Sequence, residues 1–105
     1  MQDPKDKPID NVCIFISSWK EVNLVRELFP FVKKIKVFSE TLEDKILKEL
    51  VCFDKKIVVS FPKEGETVIS YSPEVKKISK KFAAHPVQIR DEISTIKLVF
   101  EVLKS

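Results

Sequence analysis

Three short segments hold the residues whose types could do chemistry: Ser17-Ser18-Trp19, Ser39-Glu40-Thr41 and Ser60-Phe61-Pro62-Lys63. Each follows an apolar run that reads as a strand. Ligands of open α/β sheets bind beyond the carboxyl ends of the strands. Ser17, Ser18, Trp19, Ser39, Thr41, Ser60, Phe61 and Lys63 are therefore expected on one rim, as a shallow polar pocket walled by Trp19 and Phe61. A serine nucleophile needs a base, and the base needs an orienting partner. None stands near these serines in sequence. Ser and Thr are also preferred helix caps, which explains Ser18 and Thr41 without a ligand.

Other reactive types are sparse. His85 is the only histidine and precedes Pro86 at a helix end. A cationic ring suits the C-terminal dipole there, so capping or exposure explains it as well as acid–base work does. The carboxylates are scattered and mostly belong to the first turns of helices. No metal cluster is indicated, and no cofactor is implied. Gly65 is the only glycine, so neither a Walker loop nor a dinucleotide fingerprint can be present. Cys13 and Cys52 both sit in apolar runs without metal spacing, and both are expected as buried free thiols.

The densest charge is Lys76, Lys77, Lys80 and Lys81, all along one helical face. A solvated outer face is the plain reading, and contact with a phosphate backbone is the sharper one. The patch has no interleaved aromatics, and Arg26 and Arg90 are the only arginines. Base reading is thus not indicated.

The elements that must position these residues follow from periodicity. Residues 1–9 read as a flexible arm and 10–105 as a single α/β domain, the size expected of one core. Asn11 to Ile16 is a continuous apolar run, as in a strand buried on both faces. Ser18-Trp19-Lys20-Glu21 is a capping box opening a helix that Pro30 ends near Phe29. Val22, Val25, Leu28 or Phe29, and Val32 keep its period. Lys34 to Ser39 reads as a second strand. Thr41 caps a second helix with Leu42, Ile46, Leu50 and Phe53 as its buried stripe. Lys56 to Phe61 is a third strand. A turn at Gly65 leads to a fourth, Thr67 to Tyr71, either as a hairpin or as a tight substitute for a crossover helix. Ser72-Pro73-Glu74 starts a third helix carrying Val75, Ile78 and Phe82. Val87 to Ile89 is a candidate edge strand, and Asp91 caps a last helix.

That last helix carries more apolar surface than one sheet face needs. Leu98 and Val102 lie off the Ile93–Ile96–Phe100–Leu103 line, which predicts a second contact, most simply a weak homodimer, or else a helix wedged between the sheet and another helix.

The 105 residues are 44% apolar and 33% charged, with a net charge of only +3. Nine Lys and Arg stand against ten Asp and Glu in residues 1–54, and ten against six in 55–105. The polar N-terminus is no signal peptide, and no apolar stretch approaches the ~18 residues a membrane span requires. A cytoplasmic protein without membrane contact is expected.

Alternating strands and helices predict a three-layer α/β sandwich around a mainly parallel sheet of four or five strands, in the order β-α-β-α-β-β-α-(β)-α. The second half resembles a response-regulator receiver domain in layout: a strand, a Ser-Pro-capped helix, a short last strand and a final amphipathic helix. The resemblance implies a flavodoxin-like fold and carries no residue roles. Ile16-Ser17-Ser18 stands where receivers have an acidic pair, and Ser60-Phe61-Pro62 where they have an aspartate. A thioredoxin-like order also fits, but Ser17-Ser18-Trp19-Lys20 replaces the Cys-x-x-Cys that redox work needs. The first expectation is a non-catalytic interaction or regulatory module acting through protein contacts. A nucleic-acid-associated protein using the lysine face is the alternative. A small-ligand binder or enzyme at the serine rim comes third.

Overall fold

The computed structural model describes residues 9–41, 44–90 and Glu101. Five parallel strands make one sheet: β1 (Ile9–Phe15), β2 (Val32–Phe38), β3 (Ile57–Val59), β4 (Thr67–Ser70) and β5 (His85–Gln88), ordered β3-β2-β1-β4-β5. Three helices connect them: α1 (Trp19–Leu28), α2 (Lys45–Phe53) and α3 (Val75–Lys80). The predicted α/β sandwich with a flavodoxin-like layout is the observed one.

The pleat sorts the core onto two faces. Val12, Ile14 and Ile16 pack with Ile35, Val37 and Ile69 under α1 and α2, against Val22, Val25, Leu28, Leu47 and Leu50. Cys13, Phe15, Phe38 and Val68 point to the opposite face, under Val75 and Ile78 of α3. Buried parallel strands carry apolar residues on both sides, as β1 does. Phe38 anchors an aromatic cluster with Phe15, Phe61 and Phe82, its ring centroids 5.4, 6.1 and 6.2 Å away.

The winding reverses between β1 and β4. The chain moves outward through β2 to β3, then crosses β2 and β1 to reach β4 without a helix. Residues 60–66 make that crossing, so Gly65 belongs to a tight crossover and not to a hairpin. Gly65 has φ +78° and donates its amide to the Ala83 carbonyl at 2.9 Å. The Glu66 carboxylate pins the crossover by accepting from Lys36 Nζ at 2.9 Å and from the Lys63 amide at 2.8 Å. Lys36 is thereby paired although buried.

Several boundaries differ from the sequence reading. β1 begins at Ile9, and a 3₁₀ turn at Phe29–Phe31 frees Val32 to open β2 rather than extend α1. Asp44, not Thr41, caps α2, its Oδ1 accepting the Ile46 amide at 2.9 Å. The buried side of α2 is then Leu47 and Leu50, which turns Cys52 and Phe53 outward, so the expected burial of both is corrected. β3 stops at Val59, and Phe61 leaves the sheet to join the aromatic cluster. α3 ends at Lys80, and Ala83 at φ 53° turns the chain into β5. His85 is therefore the first residue of an edge strand rather than a helix cap. Pro86 follows it on that edge, where a missing amide is tolerated. The predicted last helix with Leu98 and Val102 lies outside the described residues, as do residues 1–8 of the arm.

Candidate functional site

Ligand sites of doubly wound sheets form where the strand order reverses. Here that point lies between the ends of β1 and β4. The backbone amides of Ser17 and Ser18, entering α1, and of Tyr71, leaving β4, converge on it. In phosphate-binding domains such amides face the ligand. In this chain they face Glu21, which is 0% exposed. Its Oε1 accepts the amides of Ser17 and Ser18 at 2.9 and 2.7 Å, and their hydroxyls at 2.8 and 3.0 Å. Its Oε2 accepts the Tyr71 amide at 3.1 Å. The capping box read from Ser18 and Glu21 is thus present, and one carboxylate also fills the crevice. The anion at this point is supplied by the chain itself.

The remaining rim residues do not share one pocket. Trp19 lies on the α1–α2 face and lines a groove with Val22, Arg26, Glu49, Leu50 and Phe53. Phe61 lies across the sheet, stacked on Phe82 with ring centroids 4.9 Å apart. Ser60 spends its hydroxyl on the Phe61 carbonyl, 3.3 Å away, and Lys63 is exposed on the crossover. Ser17, Ser39 and Thr41 come together in a trough of about 280 Å³ between the ends of β1 and β2, beside Glu40, Asp44 and Glu74. Ser39 is only 9% exposed.

A larger cleft of about 470 Å³ adjoins this trough and shares Glu40, Thr41 and Glu74 with it. Phe61, Ile78 and Phe82 give it an apolar wall, and Lys77 and Lys81 project along its α3 side. Two features that the sequence kept apart, the strand-end rim and the lysine face, therefore meet. Lys76 and Lys80 are exposed but line neither hollow. Spacing alone could not bring Glu40 opposite Lys77 and Lys81; the fold does so.

The thiols differ sharply. Cys13 is buried beside the Lys36–Glu66 pair. Burial pushes its pKa up to about 12, Glu66 adds to the rise, and Lys36 opposes it. Such a thiol stays protonated and inert. Cys52 is exposed. Among the described residues no three His, Cys, Asp or Glu side chains gather closely enough to hold a metal ion. No helix among them is long and apolar enough to cross a membrane. The chain matches no protein-family model, no curated protein and no solved structure.

Proposed function

We propose that this protein is a non-catalytic interaction module that works by contact with another protein. The observation that carries this reading is the apolar surface beside the α1–α2 groove, where Trp19 is 60% and Phe53 59% exposed. Covering a large apolar side chain is worth roughly 1.5–3 kcal/mol. Exposed aromatics beside a groove, rimmed by Arg26 and Glu49, have the composition of a contact surface. The self-filled crevice at Glu21 supports the same reading, because the position where α/β domains bind phosphates is already satisfied. The lysine face supports nucleic-acid contact less well, since Glu40 and Glu74 line the same cleft as Lys77 and Lys81 and would repel phosphates.

The test is site-specific photo-crosslinking in the native host. A benzophenone side chain replaces Phe53 in one variant and Lys63, on the crossover, in another. A discrete adduct with one identified protein, formed from position 53 only and lost on adding Trp19→Ser, is the expected result. Absence of a discrete adduct, or the same adducts from both positions, would overturn the reading.

A further inference from the structure

The trough and the adjoining cleft form one continuous rim groove with opposite charge at its two ends. Asp44 stands at the trough end, Lys77 and Lys81 stand at the cleft end, and Glu40 and Glu74 lie where the hollows join. Among the described residues, no ion pair or hydrogen bond joins the side chain of Glu40, Glu74, Lys77 or Lys81 to another residue. Ser39, a residue only 9% exposed, lines the trough, and its hydroxyl is reached by solvent and makes no side-chain hydrogen bond among the described residues.

We infer that this groove binds a small dipolar ligand: an amine at the Asp44 end, a carboxylate at the Lys77–Lys81 end, and a planar apolar body over Phe61 and Phe82. Lys77 and Lys81 are one helical turn apart, and like charges at that spacing repel. A bound carboxylate relieves that repulsion. The acidic end is lined by the carboxylates of Asp44, Glu40 and Glu74, spread along the groove rather than gathered at one point, with Ser39 as a further acceptor. A simple anion would gain at the lysines and lose against Glu40 and Glu74, and a simple cation would meet the reverse. A ligand carrying both charges gains at both ends. The cleft, at about 470 Å³, is of the size range of small-molecule sites, and its apolar wall of Phe61, Ile78 and Phe82 faces charged groups of both signs. This inference does not rest on the exposed Trp19 and Phe53 of the α1–α2 groove, which shares only Ile46 with the trough.

The experiment is an amide chemical-shift titration of the full chain, near neutral pH and at low salt, with 4-(aminomethyl)benzoate, benzoate and benzylamine. The dipolar probe should shift the amides of Ser39, Thr41, Phe61, Lys77 and Lys81, and bind at least about tenfold more tightly than either singly charged probe, a free-energy margin of about 1.4 kcal/mol. Lys77→Gln with Lys81→Gln, both exposed positions, should bring its affinity down to that of benzylamine. Ser39→Ala should weaken it several-fold while leaving the spectrum folded. Trp19→Ser should leave the titration unchanged. Equal affinity for the three probes, tightest binding of benzoate, shifts confined to other residues, or no saturable shift would each overturn the inference.

Discussion

Glu21 Oε2 accepts the backbone amide of Tyr71 at 3.1 Å, tying the first turn of α1 to the end of β4 across 50 positions of sequence. The same carboxylate holds the amides of Ser17 and Ser18. Removing it leaves three amides without an acceptor at the centre of the sheet. Hydrogen bonds to a charged group contribute about 1.5–3 kcal/mol each and are not additive within a network. Glu21→Ala should therefore cost about 3–5 kcal/mol in urea unfolding. The vacated cradle should also accept a small carboxylate. Formate at tens of millimolar should raise the melting temperature of Glu21→Ala by several degrees and leave the wild type unmoved. Equal responses of the two proteins would show that the amides do not form an anion site.

Local chemistry was legible in the sequence, and tertiary chemistry was not. Ser18 and Glu21 are three residues apart, so their capping box could be read directly. The Tyr71 amide could not be assigned to Glu21, because nothing in an apolar run names its neighbour in the sheet. For the same reason β1 and β4 were recognisable as strands while their pairing was not. A cap at Thr41 sets the stripe of α2 through Leu42, Ile46, Leu50 and Phe53, and so buries Phe53. With Asp44 as the cap, Leu47 and Leu50 face the sheet, and Phe53 falls on the last position of the helix, beyond its cover. Thr41 and Phe61 were expected on one rim and do meet there. Trp19 goes to the opposite face from Phe61, because it opens α1 and the side of the sheet that a helix covers was not fixed by spacing.

The two cysteines should separate in a labelling experiment. Cys52 is exposed and should react with a thiol probe at once in the native protein. Cys13 is buried and protonated and should react only as the chain unfolds. Native labelling should therefore give one adduct per chain, located to Cys52 by peptide mapping, and a second adduct in denaturant. Rapid double labelling without denaturant would show that the face under α3 is open.

Cys13 also makes stability depend on alkaline pH. Its pKa rises from an ordinary 9.0 to about 12 in the fold, chiefly through burial. Between those values the unfolded chain has lost the thiol proton and the folded chain keeps it. Stability is full below pH 9 and falls as pH rises towards 12. The linkage amounts to about 1.4 kcal/mol between neutral pH and pH 10. Cys13→Ala loses some packing at every pH but lacks this titration. The stability gap between wild type and Cys13→Ala should thus narrow by about 1.4 kcal/mol from pH 7 to pH 10, measured by urea unfolding. A gap that stays constant would mean that the thiol ionises alike in both states.

Ser79 offers a change that should stabilise the fold. It is fully buried on α3, and its hydroxyl has no hydrogen-bond partner among the described residues. Its backbone carbonyl is already well used, accepting the amides of Phe82 and Ala84 at 3.1 and 2.9 Å as the helix ends. The side chain therefore contributes shape but no bond. A buried hydroxyl left unpaired costs about 1–3 kcal/mol, and alanine is also the better helix former. Ser79→Ala removes one oxygen and should raise stability by about 1 kcal/mol, seen as a higher urea midpoint at an unchanged slope. Ser79→Val is the contrasting variant: it removes the hydroxyl but adds bulk at a buried position of α3, and overpacking of that kind costs about 1–3 kcal/mol. Alanine should stabilise and valine should not. Destabilisation by Ser79→Ala would show that the hydroxyl holds a buried water or another partner in solution, and that α3 is fastened to the sheet by more than Val75 and Ile78.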